Sequence, residues 1–387
     1  MVTRVTNTML KNTLLSNLSM NLSRMDKMQN QMSSGRKFGH ISDDPSALIY
    51  GQAARNKLAR IDHYQGSIST AKSWLTQAEA GIMELQGVVG GIYEELVSAG
   101  SVKTDADKQN LAKVVGQLQN HYVDTLNTAF GDRFVFSGHN TPGDWAANRN
   151  PEVKPFTLVT LPNPATGRVE PQLHFNGFNI SQFDGWTTES FNAQPGSTAW
   201  NSMSQDERDA LSTLRNLMGD VMTLEVAPGV EMPVSVNGID MVFHTVRGEG
   251  GPFIRNTFDV LQDVFMGING HPEQFVDLSA DPPITTALPA IAPLSNDELS
   301  QLIRLVQDSQ NHLLTRAAEI GGRQRRLELL EARFETDTLN YERMRSDAED
   351  ADMAEVIMNL KMSETVYQAA LSAGARVIQP TLMDFLR

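Results

Sequence analysis

Proline is confined almost wholly to the middle of this chain, and that confinement sets its architecture. Of 17 prolines in 387 residues, only Pro45 and Pro380 fall outside positions 142–293. Inside a helix, proline removes a backbone donor and clashes with the preceding turn, at about 3 kcal/mol. The chain is therefore predicted to be mainly α, with two long helical arms flanking an inserted α+β or β-rich region. An isolated arm cannot bury its apolar stripe. The arms are accordingly predicted to pair in a coiled coil or helical rod, with the inserted region as an outer domain at the far end.

Charge follows the same division. Of the net −14, residues 141–295 carry 18 acidic and 7 basic side chains, and lysine is absent from 155 to 360. Such a surface repels phosphates, which excludes a nucleic-acid role and suits a solvated outer face. No apolar run approaches the ~20 residues of a membrane span. The first 30 residues lack a secretory apolar block, which predicts either a cytoplasmic chain or export without a cleaved signal. There is no cysteine, so disulfides and thiolate metal sites are excluded.

In the first arm, Leu15, Leu18, Leu22, Met25 and Met32 follow the 3-4 spacing of a coiled-coil seam, interrupted at Gln29 and widened by Leu14 and Met28. Gly35 reads as the left-handed residue that stops the helix. After it, Asp43 and Asp44 precede Pro45, with Asp44 as N-cap and Pro45 as first helical residue. That helix is predicted to run to about Gly100, with a return helix from Thr104 or Asp105 to about Ala129. In the middle, strands are expected at 133–138, 156–161, 172–175 and 234–236, helices at 206–222 and 254–266, and a linker at 281–293.

The last arm starts at a capping box, Ser295 to Glu298. Beyond a polar stretch at 346–352, Met353, Ile357, Leu360, Tyr367, Leu371 and Ile378 continue an apolar stripe, interrupted at Glu364 and Gly374. Pro380 ends it, leaving Leu382, Phe385 and Leu386 at the terminus. Three domains are expected: 1–41 with 350–387 as an inner coiled coil, 42–140 with 295–349 as a helical rod, and 141–294 as an outer domain of strands and short helices. The helix near 254–266 would pack back on the rod. The predicted association surface comprises the apolar seam residues named in both arms.

Nothing in the sequence assembles into a catalytic, cofactor or metal site. Asp43 and Asp44 could be a working carboxylate pair, but the complete cap signature accounts for them. The eight histidines are scattered, with no H-x-x-x-H pair. The segment 248–252 is glycine-rich but lacks the Gly-Lys-Ser/Thr ending of a phosphate loop. Arg323, Arg325 and Arg326 are followed by Glu328, Glu331 and Glu335, an ion-paired helix face.

In order along the chain, several landmarks resemble the flagellin superfamily, and within it the hook-associated protein 3 branch of hook–filament junction proteins. They are Val5 to Met9, Met32-Ser33-Ser34-Gly35-Arg36, Ser42-Asp43-Asp44-Pro45, Ser73-Trp74-Leu75 with Glu79, and Gly131 to Gly138. Toward the other end come Glu319-Ile320-Gly321-Gly322-Arg323, Tyr367 to Leu371, and Ile378 to Leu386. The likeness covers about the first 140 and last 90 residues.

The resemblance implies a structural subunit, not an enzyme, with no cofactor, secreted by the flagellar type III apparatus with an export chaperone. It implies a ring of about eleven copies, with the first hook-associated protein on one side and flagellin on the other, in the extracellular flagellum. A flagellin-type filament subunit is the neighbouring reading, although Ile378-Gln379-Pro380-Thr381-Leu382 departs from the usual flagellin ending. An adhesin or enzyme with its activity in 141–294, tethered by coiled-coil arms, is the reading from another class.

Overall fold

The computed structural model describes residues 7–39, 43–100, 105–131, 133–138, 154–162, 169–219, 221–248, 251–269, 275–277, 284–286 and 296–378. Three helices open the chain, α1 (Asn7–Ser34), α2 (Pro45–Ala99) and α3 (Asp105–Leu126). Short strands β1 (Ala129–Phe130) and β2 (Arg133–Phe134) follow, then β3 (Phe156–Pro162), β4 (Val169–Phe175) and β5 (Phe178–Asn179). Next come α4 (Thr188–Phe191), α5 (Thr198–Ser202), α6 (Gln205–Gly219), β6 (Thr223–Ala227), β7 (Val230–Pro233), α7 (Ile239–Val242), β8 (Phe243–Gly248), β9 (Gly251–Asn256) and α8 (Thr257–Asn269). The last elements are β10 (Phe275–Asp277), β11 (Ile284–Thr286), α9 (Asn296–Glu349) and α10 (Met353–Ile378). Two compact units result, Met1–His63 with Ala332–Arg387, and Tyr64–Glu331.

Within Tyr64–Glu331, α2 buries Ile68, Ala71, Leu75, Ala78, Ile82, Leu85, Val89, Ile92 and Leu96 almost completely. Their unbroken 3-4 spacing places them on one stripe of the helix. Antiparallel α9 borders it: Lys72 pairs with Glu331 at 2.7 Å, Gln324 donates to Glu79 at 2.9 Å and Gln307 to Tyr93 at 3.2 Å. The return helix α3 packs against α8, where Gln119 donates to Gln262 at 2.7 Å. Gly116 lets α8 approach, since a Cβ there would lie 3.2 Å from the Phe265 ring.

The inserted region is built from antiparallel pairs among the described residues: a three-stranded β3-β4-β5 sheet and the hairpins β6-β7, β8-β9 and β10-β11. Its core is aromatic. Phe183 packs edge-on against Trp186 at 4.9 Å, and Phe156 meets Phe175 at a tilt of 49° with centroids 4.8 Å apart.

Four local expectations need correction. Only Arg133–Phe134 of 133–138 is strand, pairing with Ala129–Phe130 around Gly131 at φ 61°. Beyond it, Val135 N–H still donates to the Thr128 carbonyl at 2.9 Å, and the chain then turns to a single antiparallel bridge between Ser137 and Asn237, where the Phe136 carbonyl accepts from Gly238 N–H at 2.8 Å. Residues 234–236 are not a strand: β7 ends at Pro233, and the Ser235 hydroxyl accepts from Met222 N–H at 2.8 Å. Ile254 belongs to β9, paired with Thr245, and the helix begins at Thr257 where the Asn256 side chain accepts from Phe258 N–H at 2.9 Å. Finally, the supposed linker 281–293 contains Ile284–Thr286, which pairs with Phe275–Asp277.

Candidate functional site: the paired terminal helices

Within the unit formed by both termini, α1 and α10 lie against each other. They run antiparallel. Leu14 meets Gly374, Ser363 Oγ donates to Met28 Sδ at 3.6 Å, and Arg36 bridges to Asp350. On α1 the half-buried positions Leu14, Leu18, Asn21, Met25 and Met28 follow 3-4 spacing. On α10 the same spacing joins buried Val356, Leu360 and Gly374 through half-buried Ser363, Tyr367 and Ala370. These positions form the seam.

Other apolar positions stay open. On α1, Leu15 is 51% and Leu22 53% exposed, and Met32 at the helix end is also exposed. On α10, Met353, Ile357 and Leu371 flank one edge of the seam and Val366 the other, while Met362 and Met358 carry that second row round to the face turned away from α1; all are exposed. The chain's own partner helix therefore covers only part of the apolar surface. Fully burying one such side chain is worth about 1.5–3 kcal/mol, so these flanks favour association.

The ends of the helices are held by specific contacts. Gly35, at φ 70°, turns the chain out of α1, and its N–H donates to the Gln31 carbonyl at 2.8 Å. The following loop docks on the break between α9 and α10: Lys37 N–H donates to the Glu349 carbonyl at 2.7 Å, and Ala351 N–H to the Gly35 carbonyl at 2.9 Å. Asp44 caps α2 by accepting from Ala47 N–H at 2.9 Å, ahead of Pro45 as first helical residue. That backbone hydrogen bond, with a second from the Ser46 hydroxyl, holds the Asp44 carboxyl below its ordinary pKa. Its neighbour Asp43 pairs with Lys27 at 3.0 Å. Ile378 is the last residue of α10, and Leu382, Phe385 and Leu386 lie outside the described residues, as does Ser295 of the capping box.

Three contributors escaped the sequence reading. Asp352 caps α10, accepting from Ala354 N–H at 2.9 Å; its signal was present in Asp352-Met353-Ala354-Glu355, an acidic cap ahead of an acidic first turn. Glu349, 5% exposed, pairs with Arg55 of α2, a partner 294 positions away and so without a local signal. Gly51 makes room for it, since a Cβ there would fall 2.8 Å from Glu349 Cγ.

In the other unit, a cavity of about 460 Å³ is lined by residues including Asp240, His244, Asp308, His312 and Arg316. Burial lowers the pKa of both histidines, that of His244 to about 3, so both rings are neutral at pH 7. Among the described residues, no group of three or more His, Cys, Asp or Glu is placed to hold a metal, and no helix is long and apolar enough to cross a membrane.

Comparison with known proteins matches both arms. The bacterial flagellin N-terminal helical region matches residues 5–141, and the bacterial flagellin C-terminal helical region matches 303–386. Among solved structures, the chain is similar to a putative flagellar hook-associated protein from Vibrio parahaemolyticus. The TM-score is 0.51 at 15% identity, covering 80% of this chain and all (100%) of that one. Flagellar hook-associated protein-3 from Legionella pneumophila matches at TM-score 0.48 and 11% identity, covering 76% of this chain and 99% of that one. Bacillus cereus FlgL matches at TM-score 0.42 and 14% identity, over 75% and 96% of the two chains. A search of curated proteins found no match.

Proposed function

The chain belongs to the flagellin superfamily, carrying its N- and C-terminal helical regions, and from that premise we propose that it is a structural adaptor joining the flagellar hook to the filament. One observation carries the reading. The paired terminal helices leave Leu15 and Leu22 of α1, Ile357 and Leu371 beside the seam on α10, and the row Val366, Met362 and Met358 leading to the outer face of α10 exposed. A single α1–α10 pair thus keeps apolar surface beyond its own seam, which suits lateral packing against neighbouring pairs in a ring. Contacts of this head-to-tail kind close a ring or continue as a filament. Desolvation of the edges opposes the ordering cost of the arms, about 1–2 kcal/mol per residue.

In this reading the inner domain is 1–41 with 350–387, and its association surface consists of the seam and edge residues. The first hook-associated protein lies on one side and flagellin on the other. The subunit is exported by the flagellar type III apparatus with a chaperone and works outside the cell. Support for the junction role comes from the order of landmarks in the sequence and from a fold shared with a putative hook-associated protein.

Deletion of the gene tests it. Cells with complete hooks that release unpolymerised flagellin into the medium are the expected result. Complete filaments lacking one flagellin type would assign the chain to the filament instead, and unaltered flagella would overturn both readings.

A further inference from the structure

Methionine alone supplies the oxidisable sulfur of this chain, which has 18 methionines and no cysteine. Met9, Met20, Met32, Met353, Met358 and Met362 all lie on the two terminal helices and are exposed. Met358, 62% exposed, and Met362, 57% exposed, stand four residues apart and form one open ridge of α10 with Val366. Met28 provides the internal contrast. It is half-buried in the seam, and its sulfur accepts a hydrogen bond from Ser363.

A solvent-exposed thioether reacts with hydrogen peroxide by oxygen-atom transfer. The sulfur lone pair attacks one peroxide oxygen, the O–O bond breaks, and water leaves after a proton shift. Sulfur is oxidised by two electrons to the sulfoxide and the peroxide is reduced. The product replaces an adaptable apolar side chain with a polar one, which disrupts methionine-rich interfaces.

Resting on the assembly reading above, we infer that Met358 and Met362 are a sulfoxidation site of the unassembled subunit, and that oxygen added there prevents burial of the α10 ridge. Assembly then protects them, because the ridge is covered once the subunit is incorporated. The exposure that makes the ridge available to a neighbour also makes it available to the oxidant.

Hydrogen peroxide treatment of the soluble full-length chain, followed by peptide mass mapping, is the first test. Sulfoxide should form at Met358 and Met362 on the order of tenfold faster than at Met28. Equal rates at Met28 would overturn the site. The second test follows incorporation into flagella of cells carrying Met358→Gln with Met362→Gln, or Met358→Leu with Met362→Leu, circular dichroism confirming that both variants stay helical. The glutamine pair should lose incorporation; the leucine pair should retain it and, treated as a monomer, lose less incorporation to peroxide than the wild type. Normal incorporation of the glutamine pair, or peroxide sensitivity unchanged in the leucine pair, would overturn the inference. A wild-type chain that never enters flagella would overturn the assembly reading instead, and peptide mapping would still decide the sulfoxidation site.

Discussion

Gly374 of α10 faces Leu14 of α1 so closely that a Cβ on Gly374 would stand 2.6 Å from Leu14 Cδ2. This glycine interrupts the apolar stripe in sequence, yet it is buried in the seam, where the Leu14 side chain fills the space that a Cβ would take. The obstructing atom is the tip of a side chain that can rotate, and alanine gains up to about 1 kcal/mol of helix propensity over glycine. Gly374→Ala should therefore be close to neutral. Gly374→Leu cannot be accommodated this way and should cost about 1–3 kcal/mol, read as faster amide exchange along both helices. Leu14→Ala should suppress the defect of Gly374→Leu; a defect unaltered by it would show that the contact is not the cause.

The Glu349–Arg55 pair ties α2 to the end of α9, with the Glu349 side chain largely enclosed and that of Arg55 40% exposed. Removing Arg55 leaves a buried carboxylate without its partner, a loss of about 1–3 kcal/mol, discounted toward the lower end by the exposure of the guanidinium. Arg55→Met should lower the urea midpoint, and Gly51→Leu should do the same by displacing Glu349. Amide exchange should quicken first at Lys37 and Ala351, whose N–H groups are held at this break.

Local chemistry made some of this legible in the sequence. Asp44 ahead of Pro45, and Gly35 after Ser33-Ser34, act on neighbours within a few residues, so the signal and the structure coincide. The extent of α2, predicted from Pro45 to about Gly100 and observed to Ala99, rests on equally local signals. What the sequence did not reveal depended on partners distant along the chain. A stripe containing Leu14, Leu15, Leu18 and Leu22 shows its width but not which half α10 covers. Pairing with α10 puts Leu14 and Leu18 inside and leaves Leu15 and Leu22 out. Ile254 fits a helical pattern with Phe258 and Leu261 by spacing alone, and β8 decides against it by pairing with it as strand.

His244 makes the unit Tyr64–Glu331 sensitive to mild acid. Its ring lies 3.3 Å from both Thr257 Oγ1 and Ser309 Oγ, and burial, assisted by His312, lowers its pKa to about 3 from 6.5. Between those values the unfolded chain binds a proton that the folded one refuses. Stability is thus fully present above pH 6.5 and is lost as pH falls toward 3, by up to about 1.4 kcal/mol per pH unit. His312, also lowered by burial, acts in the same direction. The urea midpoint should fall between pH 7.5 and 5, and His244→Asn should flatten that dependence. An unchanged slope in the variant would rule His244 out as the source.

Asp259 should act with the opposite sign. Arg255 is shared by Asp184, at 3.1 Å, and Asp263, while Asp259 Oδ1 accepts from Ser181 Oγ at 2.9 Å. Although Asp259 retains some exposed surface, its Oδ2 is enclosed without a hydrogen bond. Burial, with the neighbouring Asp184 charge, holds its carboxyl well above the ordinary value of 3.8. The folded chain therefore keeps a proton that the unfolded chain releases, and stability is lost as pH rises from 3.8 to the folded value. Asp259→Asn imitates the protonated carboxyl at every pH. It should raise stability at pH 7 by on the order of 1 kcal/mol, and the gain should shrink as pH falls below 3.8, where aspartate becomes protonated in both states. Urea titrations of the two proteins at pH 7 and at a pH below 3.8 measure the difference; a gain of equal size at the lower pH would mean that amide packing, and not ionisation, is responsible.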